Sequence, residues 1–150
     1  PEKYMEALAE STKQEASLTP PRIGELWPEQ GGRYVGSYLR DGVVHHGIIA
    51  PGIESDIQAS HNNRAEKIEG CAVNGFTDWR VPDQIEGMLT YIGTAHLPDE
   101  FKRKGFDSIY LTSTPFDSNY AWFVGFEDGD VCILARYDEF RFRPFRSVIY

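Results

Sequence analysis

The chain has 150 residues, enough for one domain that buries most of its apolar surface without disulfide support. Hydrophobic and charged fractions of 41% and 25% are ordinary for a globular protein, while 13% aromatic residues and 14 glycines favour short strands and tight turns over a helical bundle. A net charge of −8 argues against direct nucleic-acid binding, which needs a basic face; it suits a well-solvated surface, or a protein that offers carboxylates to a basic groove.

Residues 1–16 read as a short charged helix, with Tyr4 and Leu8, and Met5 and Ala9, at i, i+4 spacing. Such an arm either frays or docks on a second subunit, and the second reading carries an expectation of homo-oligomerisation. Pro20, Pro21 and Pro28 break the helix and make residues 17–28 a linker. The expected division is an arm and linker over 1–22 and one domain over 23–150. Pro1 fits a start methionine removed before a small residue, and no apolar run has signal-peptide or membrane-spanning character. The expectation is a cytoplasmic chain with no membrane partner.

From residue 34 the pattern is β. Apolar runs over 34–39 and 43–50 flank Asp41-Gly42, a two-residue hairpin signal, and Pro51-Gly52 ends the second run. Residues 55–72 are expected to form a helix capped by Ser55 or Asp56, with Ala65, Ile68 and Ala72 on one side. A second helix follows Pro82, where Asp83 and Glu86 have capping-box spacing. Ile85, Met88, Leu89 and Ile92 form its expected apolar face and Gly93 its stop.

Strand signals then return. Tyr120, Trp122, Val124 and Phe126 alternate with smaller residues, Asp128-Gly129 marks a turn, and Val131, Ile133, Ala135 and Tyr137 run back. Phe140 and Phe142 alternate with Arg141 and Arg143, and Pro144 assigns that strand to an edge or a bulge. The fold class is α+β, with two helices packed on antiparallel β-hairpins and a meander.

Few residues suggest chemistry. His45 and His46 are adjacent in a strand, so their rings point to opposite faces and do not share a metal; one is expected in the core and the other in solvent. Cys71 and Cys132 stand outside any Cys/His cluster and either pair or remain as buried thiols. Glu127, Asp128 and Asp130 lack the ligand order of a calcium loop. No nucleophile, phosphate or metalloprotease motif is present. The expectation is a protein that is no enzyme and holds no metal or cofactor. Aromatic and polar residues on turns are the better signal, because tyrosine offers contact area and a hydroxyl at low entropic cost. The candidate partner-binding residues are Ser113, Phe116, Asp117, Asn119, Tyr120, Tyr137, Asp138 and Arg141. Trp122 reads mainly as core.

The block Gly75-Phe76-Thr77-Asp78-Trp79-Arg80-Val81-Pro82 resembles the signature of the Lcl C-terminal domain family, Gly-x-x-Asp-Trp-Arg-Leu-Pro followed by a helix. Tyr110-Leu111-Thr112-Ser113-Thr114, Tyr120-Ala121-Trp122-Phe123-Val124, Glu127-Asp128-Gly129 and Phe142-Arg143-Pro144-Phe145-Arg146 are similar to its later blocks. The opening Gly24-Glu25-Leu26-Trp27-Pro28 and Gln30-Gly31-Gly32-Arg33-Tyr34 resemble phage-type members, so the likeness spans roughly 24–148. It implies a C-type-lectin-like fold, shared with the variable proteins of diversity-generating retroelements and the formylglycine-generating enzyme. It assigns Trp79 to the core, Asp78 and Arg80 to tying down the helix start, and Pro82 to opening the helix.

Gly87 departs from the family's usual Leu and Leu111 from its Trp. The Glu-Pro-Asn and Trp-Asn-Asp calcium-sugar motifs are missing, as are the formylglycine enzyme's paired cysteines. Two function classes follow. One is a phage or prophage accessory module that binds a host protein stoichiometrically in the host cytoplasm, as an inhibitor of, for example, a nucleic-acid-binding protein. The other is a receptor- or glycan-binding domain of a tail fibre or surface protein.

Overall fold

The computed structural model describes residues 19–149; the expected N-terminal helical arm over 1–16 lies outside them. Among the described residues the chain folds into two β-sheets and two α-helices, an α+β architecture. The strands are β1 (Leu26–Trp27), β2 (Gly32–Arg40), β3 (Val43–Ile49), β4 (Ile57–Ser60), β5 (Ile109–Pro115), β6 (Tyr120–Gly125), β7 (Asp130–Ala135), β8 (Glu139–Phe142) and β9 (Phe145–Ile149). The helices are α1 (Arg64–Ile68) and α2 (Gln84–Thr94).

The first sheet has the order β1-β2-β3-β9 and is antiparallel throughout. Its central hairpin closes as its sequence signals. Arg40 pairs with Val43, and Asp41 and Gly42 take φ of 53° and 76°, the left-handed pair that a two-residue turn requires. The second sheet has the order β4-β8-β5-β6-β7, antiparallel apart from a parallel pairing of Tyr110 with Arg141. The β6–β7 turn uses four residues, since Gly125 pairs with Asp130.

Three expectations are corrected. Residues 57–60 form β4, not the start of a helix, and only Arg64–Ile68 is α-helical. Ile57 and Ala59 alternate into the core while Gln58 stays out, a period of two that pairing with β8 rewards. Tertiary pairing outweighs helix propensity there. The strand preceding Pro144 is neither edge nor bulged: β8 lies between β4 and β5 and ends at Phe142. Pro144 occupies the crossing from one sheet to the other, where its carbonyl accepts from Ala50 N at 3.0 Å and no N–H is needed.

The third correction concerns α2. Its start matches the capping-box spacing, with Asp83 Oδ1 accepting from Glu86 N at 2.9 Å and Glu86 Oε1 from Asp83 N at 3.0 Å. Its expected apolar face is buried only in part, however: Met88 and Leu89 pack half-buried against the core, and the two isoleucines do not. Ile85 and Ile92 are 59% and 66% exposed, and Glu86, Gly87, Thr90, Gly93 and Thr94 face inward. Gly93 is inside the helix and does not end it. Helix α2 is wedged between the two sheets, and small residues let it approach. A methyl at Gly93 would overlap the Val35 carbonyl of β2, and one at Gly87 would meet Val124 at 3.2 Å and Thr112 at 3.4 Å.

Val35, Ile49, Phe145, Tyr110, Val124, Phe126 and Phe101 fill the space around this helix. On the far side of the first sheet, Trp27, Tyr34, Ile48 and Trp79 are covered by Cys71, Val73 and Phe76. Leu111, Phe123, Phe142 and Ala59 form the third cluster, on the other face of the second sheet.

Gly93→Ala is expected to destabilise the protein by about 2 kcal/mol in urea unfolding, because overpacking against β2 outweighs the roughly 1 kcal/mol gain in helix propensity. Gly87→Ala, whose neighbours are side-chain methyl groups that can yield, is expected to cost clearly less.

Candidate functional site

Every long-range polar tie in the molecule must be separated from groups free to bind. Glu86 is fully buried and takes hydrogen bonds from Asp83 N, from both terminal nitrogens of Arg80 and from the Tyr38 hydroxyl. Burial alone would raise its pKa, but the hydrogen bonds from Arg80, Tyr38 and the Asp83 backbone, with the charge of Arg80, hold it below its ordinary value. Tyr38 responds in the opposite sense: burial, then its bond to Glu86, push its hydroxyl up to about 12.

A second buried network centres on Arg143, which bonds Asp56 and Glu100, each at 2.7 Å, and stacks 4.0 Å above the Phe101 ring. Burial raises the Asp56 carboxyl despite the nearby Arg143 and the Tyr110 hydroxyl at 2.6 Å. Arg146 in turn bonds Asp78 at 2.7 Å and stacks on Phe76. These charges are consumed in holding the fold.

The histidines also have structural partners. His46 lies against Trp27 and Tyr34, with Nδ1 3.1 Å from the Tyr34 hydroxyl. Burial, then the neighbouring His45, lowers its pKa. His45 lies over Tyr38 on the opposite face. Both are half-buried, so neither is solvated as expected for one of them. His45 Nδ1 is 3.5 Å from Ser147 Oγ, beyond the roughly 2.6–3.2 Å of a working base–nucleophile pair. Cys71 and Cys132 are free and half-buried. Burial raises the Cys132 thiol pKa, with Asp130 and Asp128 adding to it, which disfavours the thiolate. Among the described residues no group of three His, Cys, Asp or Glu side chains gathers as metal ligands.

What remains is one end of the second sheet. The loop over 116–119 is closed by Phe116 N and Asp117 N donating to Tyr120 O at 3.0 and 3.1 Å. Asp117 Oδ1 accepts from Asn119 N and Tyr120 N, each at 2.8 Å. The loop is bonded to the end of β7 through Arg136 N to Asn119 O at 2.9 Å and Arg136 to Asp117 O at 3.1 Å. A turn bond from Asp138 N to Ala135 O then presents Tyr137 and Asp138. Two loops distant in sequence thus become one preorganised surface. It displays Phe116, Tyr120 and Tyr137 at 52%, 44% and 74% exposure, with Asp117, Asn119 and Asp138 also exposed.

Two candidate residues stand apart. Ser113 is half-buried inside β5, with its N–H donated to the Pro82 carbonyl at 2.8 Å. Arg141 lies in mid-β8, where its guanidinium pairs with Asp56 at 3.6 Å and Asp107 at 3.4 Å. The loop is also shorter than expected, because β5 continues to Pro115 through an irregular register after Leu111.

Sequence reasoning left out the sheet face behind these loops. Tyr120 pairs with Ala135, Trp122 with Ile133 and Val124 with Val131, so these six share one face. Val124 is buried beneath α2, but on the edge strand β7 Val131 is exposed and Ile133 half-buried. Trp122 is half-buried, edge-on to Phe116 at 5.7 Å. The alternation in 120–135 was the signal; that α2 stops short of covering β7 was not legible in it.

Glu86→Gln is expected to lower stability by about 2–3 kcal/mol at neutral pH, since it breaks a buried charge-assisted network. Because the folded pKa of Glu86 lies below its ordinary 4.5, its contribution is complete above that value and is lost as pH falls through the folded pKa. The stability gap between wild type and Glu86→Gln should therefore close on acidification below about pH 4.5 in pH-dependent urea unfolding.

In comparisons with known proteins, the chain matches no protein-family model and no curated protein.

Proposed function

We propose that this chain is a non-enzymatic protein-binding module whose contact surface is the joined pair of loops carrying Phe116, Tyr120 and Tyr137. The observation that carries the reading is their simultaneous exposure on loops already locked by backbone hydrogen bonds. Exposed aromatics on a rigid frame lose little conformational entropy when covered, and they are the residue types that dominate binding energy. Trp122, Ile133 and Val131 extend the apolar area along β7, and Asp117, Asp138 and Glu139 give it an acidic rim.

The partner that this chemistry suits is a protein with a basic groove, such as a nucleic-acid-binding host protein, bound stoichiometrically. The net charge of −8 supports that choice. A C-type-lectin-like fold of the Lcl type, from a phage or prophage and acting in the host cytoplasm, is the wider setting we infer. It rests on the Asp78-Trp79-Arg80 block and its ordered companions. No helix among the described residues is long and apolar enough to cross a membrane.

The test is replacement of Phe116, Tyr120 and Tyr137 by Ala, followed by capture of partners from a bacterial lysate and thermal melting. Partner capture should be lost while the melting temperature stays within a few degrees of wild type. A matching collapse in stability would instead make these residues structural. Capture should also weaken steeply as salt rises from about 0.05 to 0.5 M, and salt-insensitive capture would reject the acidic-surface part of the reading.

A further inference from the structure

An edge strand offers a row of unpaired backbone groups, and folded proteins blunt such edges with short strands, bulges, Pro, Lys or a covering element. Among the described residues, three of the four sheet edges carry such protection. β1 has two residues, β4 runs into α1, which packs on it, and β9 is bridged by Arg80 at its first residue. β7 has none of these devices. It keeps unbroken register with β6 over its six residues, contains no Lys, Pro or bulge, and among the described elements packs closely on β6 alone.

The polarity of that edge follows from the ladder. Arg136 N donates inward to Asn119 O at 2.9 Å, whereas Val131 N, outside the ladder, donates to Asp130 Oδ1 at 3.0 Å. Successive residues of an antiparallel strand alternate, so Ile133 and Ala135 turn their N–H groups outward as Val131 does. Ala135 O is taken by Asp138 N at 3.2 Å. The outer edge therefore offers two acceptors, Val131 O and Ile133 O, and two donors, Ile133 N and Ala135 N. Cys132, Ile133, Leu134 and Ala135 flank it with uncharged, half-buried side chains on both faces.

We propose that β7 pairs antiparallel with β7 of a second copy of this chain, across a two-fold axis at Ile133. In that register the free groups complement themselves. Two hydrogen bonds form between the Ile133 residues of the two copies, and two more run from each Ala135 N to Val131 O of the other copy, so every donor and acceptor named above is met. Side chains directly opposite share a face, so Cys132 packs beside Leu134 and Val131 beside Ala135.

The charges choose the occupant. The same register sets exposed Asp130 opposite Arg136 of the second copy at both ends of the strand pair. A chain of net charge −8 repels its own copies over most of its surface. That repulsion is least where the middle of a strand is uncharged and its two ends carry opposite signs. Matched ends favour a second copy over an unrelated strand, which would find the hydrogen bonds without the paired charges. The inference does not rest on the binding function proposed above.

The test is sedimentation equilibrium of the full chain, with backbone amide exchange followed by NMR. A six-residue strand pair covers less than the roughly 1,200 Å² of a stable complex, so a reversible dimer with a Kd of about 10–500 µM is expected. Exchange at Ile133 and Ala135 should slow as protein concentration rises, while Cys132 and Leu134, bonded inward to β6, stay protected throughout. Ile133→Pro removes an outward N–H and should weaken the dimer by about tenfold or more. Asp130→Arg and Arg136→Asp should each weaken it about tenfold at low salt, and together restore it to within about threefold. These charge variants stand in if Ile133→Pro fails to fold. A monomer at every concentration up to about 1 mM would overturn the pairing. So would charge reversals that do not compensate, or a dimer unweakened by Ile133→Pro, which would place the interface on another element. Protection of Ile133 and Ala135 in a monomer would put another part of the same chain on the edge and equally overturn it. The Phe116, Tyr120 and Tyr137 alanine variant should still dimerise, which separates this edge from the aromatic surface.

Discussion

The carboxylate of Glu86 is the constraint on which the rest of the arrangement depends. It lies in the first turn of α2, fully buried, and its two oxygens receive donors from three elements: the helix cap, the strap bearing Arg80 and strand β2 through Tyr38. A buried carboxylate is tolerated only where such donors converge, so the group that would otherwise destabilise the core sets the height and rotation of α2. With that rotation imposed, Gly87 and Gly93 must face the sheets, since larger side chains would collide with Val124 and with the Val35 carbonyl. Ile85 and Ile92 are left facing outward as a consequence.

The same strap laces the chain's late residues into its middle. Arg80 and Phe145 exchange backbone hydrogen bonds at 2.8 and 2.9 Å, Asp78 holds Arg146, and Trp79 is buried with its indole N–H donated to Val73 O at 3.0 Å. Arg143, three residues before Arg146, does the equivalent on the other side of the crossing by joining Asp56 and Glu100. The arginines and acids of these blocks are therefore structural. The exposed aromatic surface lies elsewhere, on the loops after β5 and β7 and on the edge of the second sheet, where backbone hydrogen bonds give rigidity without covering the aromatic side chains.

Trp122 marks the boundary between the buried scaffold and the exposed aromatic loops. Its strand neighbours Ala121 and Phe123 are fully buried on one face, and Val124 on the other, yet Trp122 itself is only half-covered and shielded partly by Phe116. Alternation along β6 assigns it a face but not a depth, because depth depends on where α2 ends relative to β7.

Local rules were enough for much of the framework. Asp41-Gly42 dictates its own turn because both residues tolerate positive φ, and Asp83 with Glu86 dictates the start of α2 because each side chain reaches the other's backbone N–H. The exposure of Phe116, Asn119 and Tyr137 followed from turn chemistry in the same way. What needed the tertiary structure was everything decided between elements far apart in sequence. Residues 57–60 became a strand only because β8 offered a partner, and α2 buried a glutamate and two glycines in preference to its isoleucines because two sheets and Arg80 surround it. The contact of Asn62 with Arg136 is of the same kind, since one backbone hydrogen bond joins residues that lie far apart in the sequence. Periodicity reports which residues share a face; which face is covered, and by what, is settled by long-range packing.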